Sequence, residues 1–335
     1  MKHLTFHPTG QYVTVLGPSS LSNLGPGFDV LGLCIEAWCD EIDAFEVEES
    51  GVFIIPARGL QKDLVPSSPD QNTASVAANG VLKMLGTKTG MVLRIRKGVR
   101  PGSGIGSSAA SAVAGAWAAR ELFGPSLSKD EVLDAALEGE ALISGTRHGD
   151  NILPAMYGGL VMVHPNRPNR YIKLSDAGQI FLAVLLPEIQ ILTKTARDML
   201  PKNVPLHEAI AHAADLAFLL EAIQKRDWES AGAYLMVDRL VEPIRATLVP
   251  CYADVKNAAI EAGAYGCSLS GSGPAMFSIA GSVALASAVL HAMTEACKHA
   301  GIPARGVITI ANQEGVRTRL ATTPTFPTEY RAALI

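Results

Sequence analysis

One run, Pro101-Gly102-Ser103-Gly104-Ile105-Gly106-Ser107-Ser108-Ala109-Ala110, constrains this chain more than any other, because it joins a strand to an alanine-rich helix through a loop almost devoid of side chains. Three glycines let the backbone approach an anion. The helix that follows offers unpaired N–H groups and the positive end of its dipole, and two serines add hydroxyls for oxygen atoms or a metal ion. Residues 101–110 are therefore candidate nucleotide-phosphate residues, with a structural glycine turn as the alternative. A dinucleotide loop would want its glycines after the first strand of an alternating series, with an acid about 20 positions on. Here the loop lies near residue 100, and Glu121 falls at the end of the helix itself. A Walker loop needs a lysine before its Ser/Thr, and none stands at Gly106-Ser107.

The second signal is a carboxylate in the wrong place. Ser128-Lys129-Asp130-Glu131 has capping-box spacing and predicts a helix from Lys129 to about Ile143. Projected at helical period, Val132, Leu133, Ala136, Leu137 and Ile143 form one stripe with Glu140 in its middle, while Asp130, Glu131, Asp134 and Glu138 fall outside it. An inward carboxylate left alone costs several kcal/mol, so a positive partner must meet it: an arginine, or the magnesium ion that accompanies nucleotide phosphates. Spacing leaves both open.

The remaining pattern is that of a globular α+β protein. At 335 residues, 48% hydrophobic and 18% charged, the chain can form two domains. Strands are predicted at Tyr12–Leu16, Met91–Arg96 and Gly158–Val163, and helices at Thr73–Leu85, closed by Gly86, and Ser107–Leu122. His164 to Arg170, rich in Pro and Asn, predicts a boundary between domains 1–170 and 171–335. Beyond it the order is a strand (Phe181–Leu186), helices (His207–Gln224, Trp228–Val237, Ala253–Ala262), two short strands around Ser270-Gly271-Ser272-Gly273-Pro274, a helix (Val283–His299) and a strand (Val307–Ala311), a split β-α-β arrangement with a helical insert. No internal repeat is visible, and the Thr/Pro-rich stretch Thr322–Thr328 is expected to be loosely ordered.

A net charge of −4 argues against nucleic-acid or anionic-membrane binding; the short basic run Arg94-Ile95-Arg96-Lys97 is expected on the wet face of a strand. No stretch is apolar enough to span a membrane and the opening residues lack a secretory pattern, so the expectation is a cytoplasmic enzyme. Five scattered cysteines without a Cys-x-x-Cys pair suggest buried thiols rather than disulfides or zinc.

Two polar segments remain. Ser19 to Asp29 is expected as a turn-rich loop after the first strand, in which Asn23 and Asp29 either bind a small polar substrate or stabilise turns. Arg147-His148-Gly149-Asp150-Asn151 is equally readable as a surface turn or a site.

Taken together, Ser20 to Gly32, Pro101 to Ala110 and Ser268 to Pro274 resemble three motifs of the GHMP kinases. The first of them, with Gly139-Glu140, His148 to Asn151, Thr193 to Arg197 and Val241 to Arg245, is similar to the homoserine kinase family in order and spacing, over residues 12 to about 311. The resemblance implies an N-terminal domain of the ribosomal protein S5 domain 2-like kind, a ferredoxin-like C-terminal domain and a cleft between them. It implies ATP and Mg²⁺, with Ser108 and Glu140 holding the metal, Asn72 near the adenosine, and Gly271, Ser272 and Gly273 completing the nucleotide site. For L-homoserine it implies Arg197 and Arg245 on the carboxylate, Asp29 facing the ammonium, and Asn23, His148 and Asn151 at the hydroxyl end, in a possible homodimer. Without the resemblance, Arg197 and Arg245 would more simply pair with Asp198 and Glu242. Asn151 stands where other family members carry an aspartate, which implies catalysis by orientation and electrostatics, with Asp150 the alternative base. Another small-molecule acceptor, such as mevalonate, shikimate or a sugar, and a non-catalytic nucleotide-binding protein are the competing readings.

Overall fold

Leu93 and Ile95 turn inward from the strand that feeds the glycine loop and are fully buried, whereas Arg96 on the opposite face is exposed. This alternation opens a computed structural model that describes residues 3–4, 6–59, 62–174, 180–319 and 332–333. The chain runs β1 (His3–Leu4), β2 (Pro8–Ser22), β3 (Leu31–Val47), β4 (Val52–Gly59), α1 (Thr73–Leu85), β5 (Gly90–Lys97), α2 (Ser107–Phe123), α3 (Lys129–Ser144), α4 (Ile152–Tyr157), β6 (Leu160–His164) and β7 (Arg167–Lys173). A seven-stranded sheet orders these as β12-β2-β3-β5-β4, where β12 is Arg317–Thr318; β6 pairs with β3, and β7 with β6. Helices α1, α2 and α3 pack on this sheet, burying Val15, Ile42, Leu93 and Ile95 against Ala77, Val81, Val113 and Leu137.

The second unit comprises β8 (Phe181–Pro187), α5 (Thr193–Asp198), α6 (Leu206–Lys225), α7 (Trp228–Leu235), α8 (Glu242–Arg245), α9 (Tyr252–Glu261), β9 (Gly266–Leu269), β10 (Met276–Ala280), α10 (Val283–His299) and β11 (Ala304–Thr309); the short β13 (Ala332–Ala333) pairs with β1. Its four strands form an antiparallel sheet in the order β11-β8-β10-β9, so the first and third strands of a β-α-β-β-α-β path lie in the middle, the ferredoxin-like arrangement. Leu21, Leu31 and Ile35 of the first sheet share a core with Leu182, Val184 and Phe277 of the second. Ile105, at the centre of the glycine loop, is buried in that shared core.

Local capping explains the helix starts. The Asn72 side chain accepts from the N–H groups of Ala74 and Ser75 to open α1, and both halves of the Ser128–Glu131 capping box open α3.

Two sequence expectations are corrected. Ser19 to Ser22 belong to β2, not to a loop; a register shift between Pro18 and Ser20 lets the strand bend and continue. Lys97 is not on a wet face: it is 4% exposed and paired with Asp40. His164 to Arg170 forms the turn and start of the β6–β7 hairpin, so β7 runs through residue 170. Thr322–Thr328 and the side chain of Ile143 lie outside the described residues.

Candidate active site

The two units and the glycine loop border an open cleft of about 220 Å³. Asn23, Asp29, Asn72, Pro101 to Gly104, Gly106 to Ser108, Glu140, His148, Asn151, Arg197, Arg245, Gly271 and Ser272 all line it. Ile105, Ala109 and Ala110 are instead fully buried, and Gly273 is not among the lining residues.

The loop owes its shape to backbone against backbone. A Cβ on Gly104 would come within 2.6 Å of the Ser270 carbonyl oxygen and 2.8 Å of that of Gly273. Gly106, the N-cap of α2, sits at φ +71°, where a Cβ would meet Ser20 Oγ at 2.3 Å. Only glycine fits either place. No side chain caps α2, so the first N–H groups of the helix face the cleft without intrahelical acceptors. The Ser107 hydroxyl donates to the Val99 carbonyl (2.8 Å), while Ser108 is hydrogen-bonded to Glu140.

Glu140 points inward, as its helical position requires. Burial pushes its pKa up to about 8 against the Ser108 hydrogen bond, and the charge of Asp150 adds to the rise. No group of three or more His, Cys, Asp or Glu side chains suited to a metal occurs among the described residues. A buried carboxylate, a hydroxyl and a second carboxylate nearby are hard oxygen donors, and they fit a magnesium ion that takes its other ligands from phosphate and water. Asn72 Oδ1 caps α1, and one N–H of Nδ2 donates to the Pro66 carbonyl at 2.9 Å, shaping the wall formed by Leu64, Val65 and Pro66.

At the other end the cleft is cationic. Arg197 makes a two-pronged ion pair with Asp29 (Nη1–Oδ2 3.0 Å, Nη2–Oδ1 2.8 Å). Burial works against its charge, but the hydrogen bonds and charge of Asp29 outweigh it and its pKa is raised. Arg245 is 3% exposed, donates from Nη1 to the Gly271 carbonyl (2.9 Å), and has no partner for Nε among the described residues. Burial, reinforced by the charge of Arg197, lowers its pKa to about 10. Both guanidiniums lie over the ring of Phe28, at 5.3 and 4.9 Å from its centroid. The simpler ion pairs are absent: Asp198 meets Lys194, and Glu242 meets Lys256, Tyr252 and Ser268.

Asn23 and Asp29 both adopt positive φ (72° and 57°), a conformation costly for residues with a Cβ and held here by the contacts around it. Asn23 Nδ2 donates to the Gly271 carbonyl at 3.0 Å, and the Asp29 N–H donates to Asn23 Oδ1 at 3.3 Å. Asn151 is gripped on both sides, accepting from Ser20 Oγ (2.9 Å) and donating to Ser22 Oγ (3.0 Å). His148 is half-buried, and burial lowers its pKa against the pull of Asp29, leaving it neutral at pH 7.

Family models for the GHMP kinases N terminal domain and the GHMP kinases C terminal domain match residues 72–159 and 219–299. The homoserine kinase of Pyrococcus furiosus is 40% identical over 88% of this chain and 96% of its own length. The chain belongs to the homoserine kinases of the GHMP family. The homoserine kinase of Pyrococcus abyssi is 41% identical over 79% of this chain and 86% of its own. The structure of a homoserine kinase from Cytophaga hutchinsonii superposes with a TM-score of 0.88 at 34% identity, over 94% of this chain and all of that one. Leishmania major mevalonate kinase shares the fold alone (TM-score 0.71, 19% identity, 94% of this chain and 98% of that one).

Sequence reasoning missed several features in and around the cleft of this GHMP kinase. Phe28 lay inside the quoted motif, but no spacing marks it as the plate beneath two arginines. Lys97 and Ser111 line the floor of the cleft, and their partner Asp40 is 57 residues from Lys97. Asp150, named above as the alternative base, lines the cleft beside Asn151, and both are hydrogen-bonded to Ser22. Burial and the charge of Asp29 hold Asp150 above the usual carboxylate range, against Ser22 and Arg197. Among the described residues no helix is long and apolar enough to cross a membrane.

Proposed function

We propose that this enzyme transfers the γ-phosphoryl group of ATP to the side-chain hydroxyl of L-homoserine, giving O-phospho-L-homoserine and ADP, a step toward threonine. The observation that carries the substrate is Arg245, a buried guanidinium in the cleft whose pKa is depressed. A bound α-carboxylate relieves that strain, and each charge-assisted hydrogen bond contributes about 1.5–3 kcal/mol. Arg197 shares the carboxylate, Asp29 takes the ammonium, and Asn23, His148 and Asn151 bound the hydroxyl end.

In the reaction the homoserine oxygen forms a bond to the γ-phosphorus as the bond from that phosphorus to the β,γ-bridging oxygen breaks. Phosphoryl transfer needs alignment and charge stabilisation more than covalent help. The N–H groups at the start of α2 and of the glycine loop receive the phosphate oxygens, and Gly271 and Ser272 close the loop from the second unit. Asn151, fixed by Ser20 and Ser22, cannot take a proton, so it orients the hydroxyl, whose proton passes to the transferred phosphate. Mg²⁺ held by Ser108 and Glu140 would supply neutralisation of charge on the phosphate oxygens. A second reading, favoured by the position of Asp150 beside Ser22, makes that carboxylate the proton acceptor.

On this reading the site divides between domains 1–170 and 171–335, and the exposed apolar side chains Leu206, Ile210 and Phe218 on α6 suit a homodimer. A cytoplasmic location, where ATP is supplied, fits this chemistry. The test is ADP release from Mg-ATP with homoserine, mevalonate, shikimate and galactose. Strong preference for homoserine is expected; turnover of another acceptor at equal efficiency overturns the assignment.

A further inference from the structure

Beneath the glycine loop lies a buried charge pair with no part in the reaction just described. Asp40, on β3, is fully buried and accepts four donors. One oxygen receives the N–H groups of Gly98 (3.1 Å) and Val99 (3.0 Å); the other receives Ser111 Oγ (2.6 Å) and Lys97 Nζ. Lys97 also donates to the Ser107 carbonyl (3.1 Å) and to Ser111 Oγ (3.0 Å), and Ser107 Oγ reaches back to the Val99 carbonyl (2.8 Å).

Residues 97–99 are the stem entering the loop, and residues 107 and 111 lie on the first turns of the helix leaving it. One carboxylate and one ammonium thus tie both stems together. The loop between them has few side chains to hold its shape: Ser103 Oγ donates to the Arg100 carbonyl (2.6 Å) and Ile105 is buried, but Gly102, Gly104 and Gly106 all sit at positive φ (68°, 82° and 71°), and glycine pays the largest conformational entropy on ordering. A buried ion pair is on average no better for stability than an apolar pair of the same volume, whereas it does fix geometry where several donors converge.

We infer that Asp40 is a positioning residue for nucleotide binding: through Lys97, Ser111 and the stem N–H groups it sets the mouth of the phosphate loop against the start of α2. The inference rests on the proposed nucleotide site.

The test is Asp40→Asn, with ATP affinity measured by calorimetry without homoserine, and KM measured for both substrates. The expected result is ATP binding and ATP KM at least tenfold weaker, with homoserine KM within about twofold of wild type. If Asp40 served stability alone, the variant would melt lower while its folded molecules bound ATP normally, and that outcome overturns the proposal. Tighter ATP binding also overturns it, since it would mean that Asp40 withholds Lys97 from the phosphates. Should Asp40→Asn not fold, Ser111→Ala decides: a three- to tenfold rise in ATP KM supports the tie, and an unchanged KM refutes it. Wild type that binds no ATP would instead defeat the nucleotide reading itself.

Discussion

Replacing Arg245 with methionine should make this protein more stable and a far worse enzyme. A guanidinium held at a pKa of about 10 rather than 12.5 carries at most about 3 kcal/mol of unfavourable charge burial, at about 1.4 kcal/mol per pH unit. Because the depressed pKa penalises the charged form, that cost is full at every pH below 10 and fades only above it. Methionine removes it but also removes the Gly271 hydrogen bond and the contact with Phe28, together about 2 kcal/mol. The balance is a gain of about 1 kcal/mol, which raises the melting temperature by about 1–2 °C in a protein of this size. Loss of the carboxylate contact should lower kcat/KM for homoserine about 10- to 150-fold, the equivalent of 1.5–3 kcal/mol, with ATP KM unchanged. The assay pairs thermal melting with kinetics on homoserine and on 3-aminopropan-1-ol, its analogue without the carboxylate. Wild type should favour homoserine strongly, and the variant should narrow the ratio by the same factor it loses on homoserine. An unchanged ratio, or a melting temperature lowered in step with activity, would refute the reasoning.

Glu140→Gln should raise the magnesium concentration for half-maximal rate at least tenfold; unchanged magnesium dependence dismisses the metal role. With its pKa at about 8, Glu140 binds a proton below that pH, so in wild type the metal requirement should rise about tenfold per pH unit from 8 down to 6, measured by magnesium titration of the rate. The same raised pKa penalises the folded state progressively from about pH 4.5 to 8, so Glu140→Gln should gain stability over wild type across that window in chemical denaturation. Gly106→Ala forces a Cβ into Ser20 Oγ at positive φ and should cut kcat/KM for ATP at least tenfold without changing the circular dichroism spectrum. Asp150→Asn should keep turnover within about tenfold; abolished turnover with intact substrate binding and folding would make Asp150 the base.

The elements that the sequence disclosed are those whose signals are local. Asn72 and Gly86 bracket α1, Ser128 and Glu131 open α3, and α2 begins where the third loop glycine ends, each within a residue or two of the predicted span. Glu140 was legible because helical period is a local rule. The 17-residue β3 was not, since its middle, from Glu36 to Cys39, interrupts the alternation while its two halves pair with different strands, β6 and β5. Lys97 read as a surface charge, because only the fold brings it and the distant Asp40 into one buried pair. The pairing of Arg197 with Asp29 is of the same kind: sequence neighbours offered Asp198, and tertiary structure chose a partner 168 positions away.

That choice bears on selectivity. Asp29 and Arg197 satisfy each other in the cleft without ligand, so a substrate that enters between them must replace both halves of the pair. On the proposed roles a zwitterion does so, offering its ammonium to Asp29 and its carboxylate to Arg197 and Arg245. A hydroxy acid such as mevalonate brings only the carboxylate, and would leave Asp29 a partly buried carboxylate stripped of its cation. Sites that strand a polar group in this way reject the incomplete analogue by several powers of ten, more than any pocket shaped by methylenes alone. On this account the common fold and glycine loop fix the phosphoryl donor, while the acceptor is chosen by three charges around the ring of Phe28, two positive and one negative, in the proportion that a single amino acid can balance.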